Sequence, residues 1–321
     1  MRDGLGREIE YLRVSVTDRC NLRCRYCMPE QGVEPLQHAH ILTYEELVQV
    51  CRCGVRLGLR RVKLTGGEPL VRRGVARLAG MLRQQAGVEE VTLTTNGVLL
   101  AEQAQPLYEA GVRRVNVSLD TLRPDRFAYI TRREGLEQVL RGMETARQVG
   151  LEVKLNCVPQ RGINEDEWVA FASLARREGW TVRFIELMPL GEGVTARGVP
   201  GEEVLHRLRQ ALPGLEPVDR QLGNGPATYW GWPDGTGYVG FISALHGPFC
   251  DRCNRVRLTA DGQLRLCLAS EEGVDVRALL RSGVGEDALC RAMEEAIGRK
   301  PAGHQLGSRP QRDRRMNQIG G

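Results

Sequence analysis

The sequence contains no run of about 18 apolar residues, which is the length that a membrane-spanning helix needs. Its N-terminus is polar and charged, unlike a secretory signal peptide. Ten cysteines in a chain without such a signal indicate a reducing compartment, where thiols bind metals more often than they form disulfides. We therefore expect a cytoplasmic protein that has no membrane partner.

Lysine is nearly absent, since only Lys63, Lys154 and Lys300 contribute to the 45 lysines and arginines. The net charge of +5 comes from the segment after Gly298, where six basic residues accompany one acid. The rest of the chain is balanced, so it does not have the broad basic surface of a nucleic-acid-binding protein, and we expect no nucleic-acid partner. In a chain so rich in arginine, the internal lysines Lys63 and Lys154 are candidates for specific roles.

Three cysteines, Cys20, Cys24 and Cys27, lie within eight residues, directly after an apolar run that predicts a strand at Tyr11–Val16. Soft thiolates at this spacing favour an iron–sulfur cluster or zinc. A structural zinc site needs a fourth Cys or His nearby, but the nearest histidines lie more than ten residues further on. Three cysteines leave the fourth iron of a [4Fe–4S] cluster open to a small molecule, whereas clusters that only carry electrons usually have four. We predict a cluster with a chemical role.

Six β-branched runs alternate with longer amphipathic stretches up to about Gly191. The predicted strands are Tyr11–Val16, Arg61–Thr65, Val91–Thr95, Arg114–Leu119, Glu152–Val158 and Thr181–Leu187. This alternation predicts an α/β fold with a parallel sheet, although it does not separate a partial barrel from an open doubly wound sheet. Polar residues follow five of the strands, so we expect a ligand site at the carboxyl ends of the sheet.

The pattern changes after Gly191, and we divide the chain into regions 1–191 and 192–321. A glycine-rich segment, Gly191–Gly201, precedes a predicted helix at Gly201–Leu212. Two aromatic runs, Tyr229–Trp232 and Tyr238–Ile242, flank Pro233-Asp234-Gly235 and predict a β-hairpin.

A second set of cysteines, Cys250, Cys253 and Cys267, has the spacing C-x2-C-x13-C. Two predicted strands, Asn254–Thr259 and Gln263–Leu268, form a hairpin that returns the third thiol to the first two. The spacing suits a second cluster, and it also suits zinc if His246 supplies the fourth ligand.

Alternation along the first strand of that hairpin places Arg255 and Arg257 on the same face as Cys253. An open metal position beside two guanidinium groups suits an anionic ligand such as a nucleotide. The alternative is that both arginines are solvated on an exposed face.

The first cysteine set, with the aromatic Tyr26 before its third cysteine, resembles the signature of the radical S-adenosylmethionine (radical SAM) enzymes. The resemblance implies a six-unit partial (β/α) barrel, with a C-terminal cluster-binding extension that contains β-hairpins. It also implies that the open iron holds S-adenosylmethionine and that a 5′-deoxyadenosyl radical abstracts hydrogen from the substrate. Gly66-Gly67-Glu68-Pro69 matches the glycine-rich strand end of these enzymes. By this resemblance Tyr26, Gly67, Ser118 and Met188 bind the cofactor.

Both cysteine sets, Arg255-Val256-Arg257 and the terminal Gly320-Gly321 together resemble the molybdenum cofactor biosynthesis protein A family, the GTP 3′,8-cyclases. This resemblance implies a lyase with two [4Fe–4S] clusters that converts GTP in the first step of molybdenum cofactor biosynthesis. The implied substrate contacts are Arg13, Lys63, Thr94, Lys154, Arg255 and Arg257. Lys63 replaces the arginine usual at its position, which keeps the charge but loses the planar fork.

The same resemblance implies partners and a role for the C-terminus. The expected partners are an electron donor such as flavodoxin or ferredoxin, the downstream cyclic pyranopterin monophosphate synthase and a second copy of the chain in a homodimer. Gly320 and Gly321 are expected to enter the active site, because glycine fits a narrow channel. A disordered end is the alternative for this tail.

Two other functions fit parts of the sequence. A peptide-modifying radical SAM enzyme also carries two or more clusters, but such enzymes usually have more C-terminal cysteines than the three found here. A binding protein with two zinc knuckles is the other alternative, and the balanced charge of the chain argues against it.

Overall fold

The computed structural model describes residues 1–308 and 315–320. The strands in this part of the chain are β1 Tyr11–Ser15, β2 Arg61–Thr65, β3 Glu90–Thr95, β4 Arg114–Ser118, β5 Glu152–Cys157, β6 Thr181–Ile185, β7 Glu216–Val218, β8 Thr228–Gly231, β9 Tyr238–Ile242, β10 Arg255–Leu258, β11 Gln263–Arg265 and β12 Gly273–Asp275. The α-helices are α1 Tyr44–Arg56, α2 Val75–Gln84, α3 Leu100–Glu109, α4 Pro124–Thr131, α5 Leu136–Gln148, α6 Trp168–Glu178, α7 Gly201–Ala211, α8 Val276–Arg281 and α9 Glu286–Gly298.

All of these strands belong to one sheet, in the order β12-β11-β10-β1-β2-β3-β4-β5-β6-β9-β8-β7. The centre, from β1 to β6, is the parallel six-unit sheet that the sequence predicts. Within the described residues the edge strands β12 and β7 do not pair with each other, so the barrel stays open. The prediction of an α/β partial barrel is therefore confirmed.

The C-terminal hairpins are integral parts of this sheet. β8 pairs with β9 and β10 pairs with β11, both antiparallel, at the two places where the sequence predicts hairpins. In addition, β9 lies parallel to β6 and β10 lies parallel to β1, so each hairpin extends one wall of the barrel. The sheet thus continues across Gly191, and the division into 1–191 and 192–321 stays a prediction.

The two faces of the parallel strands differ in chemistry. On β1 the residues Leu12 and Val14 are fully buried beneath the helices and belong to the main core. The alternate residue Arg13 faces the interior of the barrel and lines its cavity. A closed (β/α)8 barrel fills its interior with branched apolar side chains, whereas this one has a polar interior that can hold a ligand.

Local sequence signals fix several helix ends. Thr43 and Glu46 form a capping box at the start of α1, with hydrogen bonds of 3.1 Å from Glu46 N to Thr43 Oγ1 and 2.7 Å from Thr43 N to Glu46 Oε2. Gly179 ends α6 at φ +69°, a conformation that glycine adopts without strain. None of the helices in the described segments is long and apolar enough to cross a membrane.

Candidate active site

One cavity opens at the carboxyl ends of the parallel strands, and both cysteine sets line it. The pairing of β10 with β1 brings the sets together although they are far apart in the chain. The other predicted site residues that line this cavity are Arg13, Tyr26, Lys63, Gly67, Thr94, Ser118, Met188, Arg255 and Arg257.

The loop that carries the first cysteine set is fixed by the C-terminal end of α4. Arg23 N donates to Thr131 O at 2.9 Å, and Arg25 N donates to Ile130 O at 2.9 Å. Arg132, the only non-glycine with positive φ in the described residues, donates from Nη1 to Arg23 O at 2.9 Å and to Met28 O at 3.1 Å. Backbone strain at Arg132 therefore coincides with the anchoring of the cysteine loop.

The three thiols of this loop are poorly suited to stand as isolated thiolates. Burial raises the pKa of Cys20 to about 11 and that of Cys27 to about 12. Burial and the neighbouring thiols raise the pKa of Cys24 well above its ordinary value. Iron would supply the positive charge that stabilises the three thiolates, so these residues fit a metal cluster.

The spread of donor atoms also bears on which metal centre fits. No group of three His, Cys, Asp or Glu side chains in the described segments converges closely enough for a single metal ion. Three cysteines around a cluster are spread over several irons, so the arrangement fits a cluster rather than a zinc ion. His246, which the sequence offers as a zinc ligand, instead contacts Glu186 through Nδ1 at 3.0 Å from Oε1.

The glycine-rich end of β2 packs against the chain segment just before the first cysteine. A Cβ on Gly66 would lie 2.5 Å from Thr17 O, and one on Gly67 would lie 2.4 Å from Arg19 O. Both positions therefore exclude any side chain. The close approach that requires glycine here is to the chain's own backbone.

Two buried carboxylates organise the strand ends around the cysteine loop. Glu68 accepts hydrogen bonds from Thr95 Oγ1 at 2.7 Å and from Asn96 N at 2.6 Å. Asp120 accepts from the Tyr26 hydroxyl at 2.7 Å. Burial raises the pKa of Glu68 to about 7 and that of Asp120 to about 6.

A row of cations crosses the inner face of the sheet. Arg257 on β10, Arg13 on β1 and Lys63 on β2 are in register on three neighbouring strands. Burial, followed by repulsion from other arginines, lowers the pKa of Lys63 and of Arg257 well below their ordinary values. Arg183 on β6 is also buried and lines the same cavity. A polyanion would relieve this repulsion, so the row fits a phosphorylated ligand.

Lys154 does not line this cavity; it lies at the other end of the barrel. Its side chain is 2% exposed, it donates to Leu222 O, and its Nζ lies 3.0 Å from Glu152 Oε1. It faces a second opening with Arg61 and Arg114. Lys154 and the cavity-lining Asn156 lie on the same face of β5, two residues apart. At about 3.3 Å per residue, Lys154 is therefore roughly 7 Å below the main cavity.

The C-terminal tail reaches the row of cations. Gly320 O accepts hydrogen bonds from Arg257 Nη1 at 2.9 Å and from Arg13 Nη2 at 3.4 Å. Ile319 is buried in a small apolar cluster with Leu190 and Leu306. Gly321 and residues 309–314 lie outside the described residues.

Several cavity residues had no role assigned from the sequence, although Asn156 is one of the polar residues expected at the strand ends. Arg183, Asn156 and Asn317 line the cavity, and each has a buried side-chain atom without a hydrogen-bond partner in the described structure. Such atoms fit a polar ligand. The alternation of side chains along a strand could have identified Arg183 and Asn156. Each lies on the same face of its strand as the residue at the carboxyl end that lines the cavity. Asn317 had no such signal.

Comparisons with known proteins agree with this geometry. The family model of the Radical SAM superfamily matches residues 14–175, and that of Molybdenum Cofactor Synthesis C matches residues 180–306. Proteins named GTP 3′,8-cyclase from Pelotomaculum thermopropionicum and Moorella thermoacetica are 48% and 47% identical to the chain. Each comparison covers 100% of both proteins.

Solved structures share the fold at low sequence identity. Streptococcus suis SuiB bound to S-adenosylmethionine has a TM-score of 0.66 at 12% identity, covering 91% of this chain and 68% of that one. The hydrogenase maturase HydG from Carboxydothermus hydrogenoformans has a TM-score of 0.51 at 15% identity, covering 66% and 53%. These two likenesses concern the fold alone. The full-length similarity to the cyclases, together with two cysteine sets in one partial barrel, shows that the chain belongs to the GTP 3′,8-cyclase family of the radical SAM superfamily.

Proposed function

We propose that the cavity at the carboxyl ends of the strands is where this chain carries out the cyclase reaction of its family. The chain is a radical SAM GTP 3′,8-cyclase with two [4Fe–4S] clusters, and it converts GTP to (8S)-3′,8-cyclo-7,8-dihydroguanosine 5′-triphosphate in the first step of molybdenum cofactor biosynthesis. The observation that supports this location is the convergence of both cysteine sets and the row of cations on one cavity.

The cysteine sets divide the cofactors between the two sides of the cavity. Cys20, Cys24 and Cys27 would hold the first cluster, and Cys250, Cys253 and Cys267 would hold the second. When bound, the first cluster would supply the electron for cleavage of S-adenosylmethionine, and so the radical chemistry that joins ribose C3′ of GTP to guanine C8, and the second cluster would bind the purine.

S-adenosylmethionine would lie against the ends of β2, β4 and β6. Gly67, Ser118 and Met188 come from these three ends, and Tyr26 comes from the cysteine loop itself. The hydrogen bond from the Tyr26 hydroxyl to Asp120 fixes the ring at this side of the cavity. These residues orient the cofactor and keep water from the reacting atoms.

GTP would place its base toward the second cysteine set and its triphosphate toward the barrel interior. Arg255 and Arg257 connect these two regions, because β10 begins two residues after Cys253. Thr94 lines the same cavity. Arg13, Lys63 and the structurally identified Arg183 would neutralise the phosphates, and Lys154 would meet the far end of the triphosphate through the lower opening.

The tail would act as a positioning element. The carbonyl of Gly320 already occupies donors of Arg13 and Arg257, so substrate binding and tail placement share the same guanidinium groups. Gly320, and Gly321 beyond the described residues, would order these donors without supplying a reacting group.

Several partners and the domain division complete the proposal. The reaction needs an external one-electron donor, such as flavodoxin or ferredoxin, and its product would pass to the cyclic pyranopterin monophosphate synthase. A homodimer in the cytoplasm is proposed from the family resemblance. Residues 1–191 would bind S-adenosylmethionine, and residues 192–321 would hold the second cluster and the purine.

Isotope transfer tests the function directly. Reconstituted protein would be incubated anaerobically with S-adenosylmethionine, dithionite and GTP carrying deuterium at ribose C3′. We expect deuterium in 5′-deoxyadenosine and a cyclised nucleotide that chromatography separates from GTP. A variant in which serine replaces all three cysteines of the first set should form neither product. Cleavage of S-adenosylmethionine without deuterium transfer or cyclised nucleotide would contradict the proposal.

A further inference from the structure

The third lysine of the chain lies beside the second cysteine set. By sequence Lys300 belongs to the basic C-terminal segment, yet its residue is only 4% exposed and it lines the main cavity. Its Nζ donates to the backbone carbonyl of Leu266, next to Cys267, and the same cavity wall carries Cys253. Thus one positive charge of the basic C-terminal segment lies inside the main cavity.

Among the described residues around Lys300, thiols lie where a buried lysine usually has a carboxylate. Cys250, Cys253 and Cys267 line the cavity together with Lys300. Burial of an ammonium group without an anionic partner costs several kcal/mol. The cysteine sulfurs are therefore the anionic partners that this position offers.

The segment that carries Lys300 is held rigidly. The Arg7 guanidinium donates to the carbonyls of Lys300 at 3.1 Å, Pro301 at 2.7 Å and Ala302 at 3.1 Å, and also to Cys250 O at 2.8 Å. Its Nε forms an ion pair with Asp3 at 2.7 Å. One side chain from the N-terminus thus ties the Lys300 segment to the second cysteine set.

We propose that the Lys300 ammonium is the counter-charge of the second cluster and donates a hydrogen bond to the Cys253 sulfur. This inference rests on the proposed function only in that the second set holds a [4Fe–4S] cluster. Hydrogen bonds to cluster sulfurs and nearby charges set the reduction potential of a cluster. A cation at this position stabilises the reduced cluster, which is the more negative of its two redox states, so it raises the reduction potential. It also stabilises a cluster that has only three protein ligands.

The test measures the second cluster itself. In the full chain, serine replaces the three cysteines of the first set, so that only the second cluster contributes to the electron paramagnetic resonance signal. Lys300→Met is compared with Arg299→Met, which removes the same charge from an exposed neighbouring residue. We expect Lys300→Met to shift the reduction equilibrium about tenfold toward the oxidised cluster, which is about 59 mV for one electron. Arg299→Met should leave it unchanged.

Iron content separates the remaining outcomes. Loss of the second cluster's iron in Lys300→Met, with normal circular dichroism and recovery in Lys300→Arg, would also support the counter-charge. If Lys300→Met does not fold, the reduction potential and iron content of the second cluster are measured in Lys300→Gln instead. Equal potential and iron content in the triple-serine parent and in the folded Lys300 variant would overturn the inference. Absence of iron from the second set in the parent protein would instead contradict the proposed function.

Discussion

Replacement of Lys63 by methionine should stabilise the protein without GTP and weaken its binding of GTP. Lys63 on β2 stands in register with Arg13 on β1 and Thr92 on β3. Its Nζ lies 6.0 Å from the centre of the Tyr11 ring. Burial, and then repulsion from Arg183 and Arg13, lowers its pKa well below the ordinary value. Lys63→Met keeps the length of the side chain and removes the charge.

The magnitudes follow from this crowding of cations. Neighbouring strands lie about 4.8 Å apart, and a second cation at roughly 7 Å costs about 2 kcal/mol at an effective dielectric constant near 20. We therefore expect Lys63→Met to raise the free energy of unfolding of the GTP-free protein by about 1–2 kcal/mol at pH 7. Loss of a charged hydrogen bond to phosphate should weaken GTP binding by about 1.5–3 kcal/mol, or about 10- to 150-fold in Kd.

The stabilisation should also depend on pH. Since the pKa of Lys63 is lower in the folded state than in the unfolded state, the folded protein binds fewer protons between those two values, and its stability rises with pH there. The gain from Lys63→Met is thus complete below the folded pKa and disappears near pH 10.5, the ordinary value for lysine.

Two measurements on the same samples check this reasoning. Anaerobic thermal unfolding without GTP reports stability, and equilibrium binding reports the Kd for GTP. Arg60→Met, at an exposed position just before β2, is the control and should change neither result by much. A lower melting temperature of Lys63→Met, together with unchanged GTP affinity, would refute two claims: that other cations repel Lys63 in the GTP-free protein, and that Lys63 binds phosphate.

Three further predictions concern the clusters, the substrate and the tail. Serine at all three cysteines of the first set should remove about half of roughly eight irons per chain, as counted after anaerobic reconstitution; stoichiometric zinc in native protein would be the opposite result. Arg255→Ala should weaken GTP binding by about 1–3 kcal/mol by calorimetry while S-adenosylmethionine cleavage without GTP persists, and unchanged affinity would remove Arg255 from the site. Gly320→Ala should abolish cyclisation but spare iron content and GTP binding, because φ is +75° and a Cβ would meet Thr65 Oγ1 at 3.1 Å; full turnover would contradict this.

The sequence predicted the central sheet well because its signals are local. The six predicted strands match β1 to β6 within two residues at each end. The sequence did not predict that β9 and β10 join this sheet. Both pairings link segments far apart in the chain, and the residues of a strand do not show which other strand pairs with it.

The candidate site shows the same limit. Motifs identified the cysteines and the glycine-rich strand end, but they carried no information on depth within the barrel, so Lys154 was grouped with residues of the upper cavity. Lys300 looked like one of several tail charges, since its place depends on Arg7 at the other end of the chain. Contacts between distant segments decide both positions.

The pairing of β1 with β10 has a consequence for synthesis of the protein. Tyr11 lies opposite Arg255, so one edge of the first strand has no partner until the ribosome has added more than 240 residues. At about 5–20 residues per second this takes roughly 10–50 s. Throughout that interval the nascent chain presents an open strand edge and an unshielded cysteine loop, which are sites of aggregation and oxidation. Low oxygen during synthesis should therefore favour recovery of intact protein.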